Sequence, residues 1–201
     1  MTAAMPVPDE ARIRAFRPGD EQGVIDLILP IQREEFGLAI TAADQPDLRT
    51  VPAFYQTGRG AFLVAESGNR IVGTIGMKDI GEGNGGQGNG GQGNGGQGNG
   101  GQGNGGQGNG SARSGALRKM FVAADHRGSG SGLAGRLLHA VLDLARENGL
   151  HRIFLGTTDR FLAAHRFYEK HGFMPVPPAD LPQSFPRMNV DTRFYRLDLP
   201  E

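Results

Sequence analysis

Residues 116–137 decide the fold: Ala116-Leu117-Arg118-Lys119-Met120-Phe121-Val122, a short connection, Arg127-Gly128-Ser129-Gly130-Ser131-Gly132, then Leu133-Ala134-Gly135-Arg136-Leu137. The first block is an apolar strand. The last opens a helix, because Leu133, Leu137, Val141 and Leu144 fall on one face at helical spacing. Asn148-Gly149 closes that helix with a C-terminal glycine signal. Small residues at a helix start leave backbone N–H groups bare, and with the helix dipole these suit a phosphate. Five small residues in a row are more than one tight turn needs.

Three phosphate-loop readings compete for this segment. Gly130-Ser131-Gly132-Leu133-Ala134-Gly135 matches the dinucleotide fingerprint G-x-G-x-x-G letter for letter. A dinucleotide unit, however, runs its strand almost directly into the first glycine and places an acid about 20 residues later. Here seven residues separate Val122 from Gly130, and the nearest acid at a strand end, Asp159, lies 29 residues on. No Gly-Lys-Ser/Thr follows, which removes the nucleotide P-loop. What remains is a general anion loop. Between 111 and 136 the five cations Arg113, Arg118, Lys119, Arg127 and Arg136 face Asp125 alone.

Working outward, Arg12-Ile13-Arg14-Ala15-Phe16 alternates as a strand. Asp20 is placed to cap a helix bearing Val24, Leu27, Ile28 and Ile31, with Pro30 kinking or ending it. A second short helix is expected over 47–55. Gly60-Ala61-Phe62-Leu63-Val64-Ala65-Glu66 and Ile71-Val72-Gly73-Thr74-Ile75-Gly76-Met77 form a hairpin around Ser67-Gly68-Asn69. Beyond the central helix come a strand over 152–156, a helix over 160–171 and a short strand start at 172–174. A proline-rich loop over 175–186 follows, then a final strand with Tyr195, Leu197 and Leu199 inward. This order is that of a mixed α/β sheet.

Between 81 and 110 the chain holds 18 of its 34 glycines and no apolar residue. From Asn84 it repeats Asn-Gly-Gly-Gln-Gly, a period far below that of stacked repeat arrays. Such a segment buries nothing and reads as a flexible coil. Without aromatic residues it is a poor prion-like tract. The expected organisation is a flexible N-terminus over 1–10 and one domain over 11–201, interrupted by a low-complexity insert over 82–114. The remaining 171 residues have an apolar content of about 43%, near the globular norm.

Composition excludes several classes. With 21 basic and 21 acidic side chains there is no net field for nucleic acid or an anionic membrane. No apolar run approaches the length of a membrane span. The opening MTAAMPVPDE has neither the basic nor the apolar region of a secretory signal, so a cytoplasmic protein is expected. Zero cysteine removes disulfides, thiolate metal sites and a cysteine nucleophile.

Two motifs together resemble a known family. Arg127-x-x-Gly130-x-Gly132 after an apolar strand is similar to the coenzyme A pyrophosphate loop of the GNAT superfamily of N-acetyltransferases. Ala164-His165-Arg166-Phe167-Tyr168-Glu169-Lys170-His171-Gly172-Phe173 resembles the superfamily's later helix and its turn into the next strand. They occur in the right order, about 35 residues apart, with a strand between. The resemblance spans about 12–199 apart from the insert, and it implies a mixed, mostly antiparallel central sheet flanked by helices, with the Gly/Asn/Gln repeat in one hairpin loop.

It also implies a chemistry. Acetyl-CoA, as co-substrate and with no metal, would lie in a splay between the strand ending at Val122 and the strand over 152–156. Backbone groups of Met120, Phe121 and Val122 would bond the pantetheine amides. The amides of Gly128, Ser129, Gly130, Ser131 and Gly132 would hold the pyrophosphate, with Arg127 adding charge. Tyr168 stands where the family carries the general acid that protonates the departing thiolate, a match of phenol and thiol basicity. The base is unassigned: several relatives place a glutamate where this chain has Arg118 and Lys119, and Glu34, Glu35 and His165 are the candidates. The family's pantetheine-binding asparagine is missing, Phe161 standing seven before the tyrosine, with Thr157 or Thr158 as replacements.

The expected reaction is transfer of an acetyl group to a primary amine of a small molecule or protein, by direct attack in a ternary complex. The alternative is a non-catalytic acyl-CoA-binding or sensor module on the same fold, or an interaction protein organised by the repeat. The expected assembly is a monomer or homodimer, with no nucleic acid or membrane partner.

Overall fold

The computed structural model describes residues 11–82, 112–128, 132–159 and 161–200. The expected flexible start and most of the expected insert lie outside these residues. Within them one seven-stranded sheet runs in the order β1-β2-β3-β4-β5-β7-β6. Its strands are β1 (Arg12–Ala15), β2 (Ala61–Ser67), β3 (Arg70–Glu82), β4 (Arg113–Val122), β5 (Arg152–Thr157), β6 (Met174–Val176) and β7 (Arg193–Asp198). Every neighbouring pair is antiparallel except β4 with β5. That exception follows from connectivity, because the helix α3 (Leu133–Glu147) carries the chain back between β4 and β5 as a crossover. The mixed, mostly antiparallel sheet expected from the sequence is the one observed.

Both faces of β2 are covered, which explains its unbroken apolar run. Leu63 and Ala65 point to one side, where α3 buries Leu133, Leu137, Leu138, Val141, Leu142 and Ala145. Phe62 and Val64 point to the other, into a second cluster with Phe16, Val24, Ile28, Leu48, Val51 and Tyr55. The latter residues come from α1 (Glu21–Pro30) and the short helix α2 (Val51–Phe54) with the turn before it. Gly132 opens α3 at φ +56°, a left-handed conformation that glycine takes without steric cost.

The strands lengthen at the hairpin expected to carry the insert. β3 and β4 pair as far as Glu82↔Arg113, so the connection between them starts and ends at adjacent points. Four expectations are corrected. Asp20 does not cap α1, because its carboxylate accepts from the Arg14 guanidinium (2.7 and 3.0 Å) and Arg17 N (2.8 Å). Pro30 ends the α-helical turns, yet the chain continues as a π-helical stretch over Ile31–Glu35. The helix expected over 47–55 is a 3-10 turn at Pro46–Leu48 followed by α2, since Pro46 and Pro52 each favour a fresh helix start. Finally, β7 buries Tyr195 on one face and Phe194 on the other, so the strand is covered on both sides.

Candidate active site

The site begins where two strands part. β4 and β5 pair in parallel only from Ser114↔Arg152 to Leu117↔Leu155. Past Leu117, β4 stays with β3 while its other edge loses its strand partner. The divergence coincides with a bulge: Arg118 pairs Gly76 and Phe121 pairs Thr74, so two residues of β4 stand opposite one of β3. An extra residue in one strand bends it and sharpens the local twist.

Lys119 occupies the bulge at φ +52°, the one non-glycine residue with positive φ among the described residues. That conformation is strained for a side chain with a Cβ. It persists because the residue is tied down on every side. Its carbonyl accepts from Thr74 Oγ1 (2.8 Å), and its ammonium reaches Gln45 Oε1 (2.6 Å) and Asp47 Oδ2 (3.3 Å). Asp47 in turn accepts from the Tyr55 hydroxyl (2.6 Å), and Gln45 Nε2 donates to Gln32 Oε1 (2.8 Å). Burial pushes the Lys119 pKa down, and Asp47 opposes it. This buried network ties β4 to the segment that follows the first helix. It was not legible in the sequence, because its members come from four separate segments with no mutual spacing.

A cavity of about 1170 Å³ fills the splay. Its walls are residues 117–122 of β4, 156–158 at the end of β5, the start of α4 (Leu162–Lys170), the π-helical stretch with 36–40, and the loop 185–191. Phe36 and Phe161 meet across it with ring centroids 3.9 Å apart. The volume is at or above the upper end for single small-ligand pockets, enough for a long cofactor arm beside a second substrate.

Of the residues singled out in the sequence, Met120, Phe121, Val122, Arg127 and Tyr168 line this cavity, as do Thr157 and Thr158. Tyr168 is buried, its hydroxyl directed at Met120 Sδ (3.6 Å) and its ring packed against Phe173 and Tyr195. Burial raises its pKa, so the phenol holds its proton at neutral pH. Val122 differs from expectation, because its carbonyl already accepts from Arg127 Nε (2.6 Å). Arg127 differs too: its remaining nitrogens grip the Glu35 carboxylate at 2.5 and 2.9 Å. Gly128 (φ +98°) and Gly132 bound the loop, while Ser129, Gly130 and Ser131 lie outside the described residues.

None of the three candidate bases stands free in the cleft. Glu34 is exposed and off the cavity wall, and Glu35 is on the wall but paired with Arg127. His165 is buried with Nε2 donating to the Thr158 carbonyl (2.8 Å), and it does not line the cavity. Because a carbonyl only accepts, that bond places a proton on Nε2. Two carboxylates not singled out from the sequence line the cavity: Asp44, bonded to Thr41, and Asp191, in the loop ahead of β7. A lone acid before a strand carries no spacing signal that would have found it.

Residues 25–173 match the family model described as the Acetyltransferase (GNAT) family. The chain belongs to the GNAT acetyltransferases. A solved GNAT acetyltransferase from Staphylococcus aureus is similar over nearly its full length, with 30% identity, a TM-score of 0.74, and coverage of 94% of this chain and 99% of that one. An acetyltransferase from Streptococcus agalactiae has 23% identity, a TM-score of 0.75 and the same coverage. The fold is shared more distantly by N-acetylglutamate synthase from Neisseria gonorrhoeae, solved with coenzyme A and N-acetylglutamate (17% identity, TM-score 0.60, covering 95% of this chain and 35% of that one). The comparison with curated proteins finds no match. As a GNAT acetyltransferase the protein is an enzyme of acyl transfer from acetyl-CoA, and amines are the general acceptors of its family. No described helix is long and apolar enough to cross a membrane, and the described residues hold no cluster of three metal-ligating side chains.

Proposed function

We propose that the protein transfers an acetyl group from acetyl-CoA to a primary amine of a small molecule or protein, by direct attack within a ternary complex, with Tyr168 as general acid. The observation that carries this reading is the buried Tyr168 hydroxyl beside Met120 on the open edge of β4, with no stronger hydrogen-bond partner among the described residues than a thioether. A phenol so placed is held neutral and has its proton available.

The residues fit acetyl-CoA along the whole splay. Extended backbone without a strand partner past Leu117 suits the amides of a pantetheine arm, with Met120 and Phe121 offering it and Val122 already engaged by Arg127. The start of α3 suits the pyrophosphate, through the positive end of the helix dipole and the glycine at φ +56°. When bound, acetyl-CoA supplies an activated acetyl thioester. Tyr168 then gives its proton to the departing sulfur, and the apolar walls around Phe36, Phe161 and Met120 keep water from competing. With no cysteine in the chain, direct attack needs no acyl-enzyme.

Tyr168→Phe tests this. Loss of the proton donor should lower kcat by about 10²–10⁴-fold, the usual scale of general acid catalysis, with KM for acetyl-CoA little changed. Wild-type turnover in the variant, followed as free thiol release, would return Tyr168 to packing alone.

A further inference from the structure

Among the described residues lining the cavity, Arg118 and Asp191 are a cation and an acid that each lack an ion-pair partner. Arg118 sits on β4 at the point where β5 departs, half-buried on the cavity wall. Its guanidinium donates to the Pro186 carbonyl (2.7 Å), stands close to the Tyr55 hydroxyl, and makes no ion pair among the described residues. Five N–H donors in a planar fork are matched to a carboxylate, and one carbonyl leaves most of them over.

Asp191 lines the same cavity, on the loop 185–191 whose Pro186 carbonyl holds Arg118. Its Oδ2 accepts one bond, from Met188 N (2.9 Å), and it too has no ion pair among the described residues. The carboxylate is pressed onto the end of β5, where a Cβ on Gly156 would lie 2.5 Å from Oδ2. Position 156 must therefore be glycine for the acid to reach the parting of the strands. Arg118 and Arg187 are the charged groups that act on Asp191, at a distance, and they oppose the upward push of burial on its pKa. Of the other cavity charges, Arg127 pairs with Glu35, Lys119 pairs with Asp47, Asp44 accepts from Thr41, and Arg187 lies over the Phe194 ring.

We propose that the acceptor amine carries a carboxylate of its own, as an amino acid does: Arg118 takes that carboxylate, while Asp191 faces the ammonium and accepts its proton. A guanidinium and a carboxylate lining one cavity, neither ion-paired among the described residues, match a zwitterion. A phosphate would fit the guanidinium equally well, but its second charge would face Asp191. The step balances within the acetyl-transfer reading, on which this proposal rests. One ammonium proton passes to the Asp191 carboxylate, and the freed nitrogen lone pair attacks the acetyl carbonyl. The carbon–sulfur bond then breaks and the thiolate takes the Tyr168 proton; the second proton leaves the new amide nitrogen through water and restores the Tyr168 phenol, while Asp191 returns its proton to solvent.

The test pairs each acid with its amide: glycine and glycinamide, alanine and alaninamide, methionine and methioninamide, glutamine and its α-amide. Thiol release from acetyl-CoA gives the rates, and mass spectrometry gives the acetylated product. Amides of this kind hold more free amine at neutral pH, so chemistry alone favours them. The expected result is that the best acid exceeds its amide at least tenfold in kcat/KM, and that Arg118→Gln brings the acid down to its amide's level. Asp191→Asn should lower kcat on the acid by about 10²-fold or more and remove the acidic limb of the rate–pH profile. Gly156→Ala should reproduce the kcat loss with Asp191 chemically intact. Acids and amides turned over equally, amides preferred, or an unaltered rate–pH profile in Asp191→Asn would overturn the proposal while leaving acetyl transfer standing. No thiol release with any amine, from protein that binds acetyl-CoA in calorimetry, would overturn the transfer reading and the proposal with it.

Discussion

Replacing Asp47 with alanine should destabilise the protein far more than any surface ion pair could. The Lys119 ammonium is 4% exposed and Asp47 is 9% exposed, so water does not reach either group to substitute for its partner. Removing one partner of a buried pair costs about 3–5 kcal/mol, because the other charge stays buried and uncompensated. The Tyr55 hydroxyl, 2.6 Å from Asp47, loses its acceptor as well, adding about 1–3 kcal/mol. Relaxation of Gln45 towards the orphaned groups offsets part of this, leaving about 4 kcal/mol as the working figure. For a domain of this size that corresponds to a fall in Tm of roughly 10 °C. The second half of the test is the double variant Asp47→Ala with Lys119→Met, which removes the stranded charge and should recover at least half of the loss. Differential scanning calorimetry of wild type, both singles and the double closes the cycle. A single Asp47→Ala variant melting within about 2 °C of wild type, or a double variant below it, would show that the pair is not the buried, coupled unit described.

Two further outcomes follow from the backbone. Gly132→Val forces a side chain into φ +56° where a Cβ meets nothing within 4 Å, so the cost is conformational, about 1–2 kcal/mol or a few degrees in Tm. Calorimetric affinity for acetyl-CoA should fall at least tenfold, and equal affinity would remove the start of α3 from the binding site. Excision of residues 84–110 should raise Tm by a few degrees and leave acetyl-CoA affinity unchanged. Pairing runs to Glu82↔Arg113, so a short turn suffices, and three halvings of loop length return about 2 kcal/mol of closure entropy. Failure to fold, or loss of acetyl-CoA binding, would make the repeat part of the structure.

The fold was legible because its signals are local. The stripe Leu133, Leu137, Val141 and the glycine that opens α3 define the crossover helix from within one short window. The alternation of Leu63 and Ala65 against Phe62 and Val64 needs only that both faces find cover. Local signals misled where two residues competed for one group. Asp20 has the side chain of a helix cap, but Arg14 offers a fork of two bonds against the single amide a cap would satisfy. The residues proposed for the cofactor side were local in the same way, since the α3 loop and Tyr168 each sit in a contiguous motif.

The acceptor side was not, and the reason is topological. Arg118 and Asp191 are 73 positions apart in the chain, and only the parting of β4 from β5 brings both to one cavity. That parting depends on a bulge at Lys119, whose backbone conformation is unfavourable for lysine and is held by Gln45, Asp47 and Tyr55 from beyond the first helix. A sequence window over 117–122 reads simply as a strand with two cations in it. The sheet turns those two cations to different uses, Lys119 tied into the network that holds the bulge and Arg118 left facing the cavity the bulge creates. Loss of the first should therefore distort the cleft for both substrates, whereas loss of the second should weaken only an acceptor that carries a negative charge.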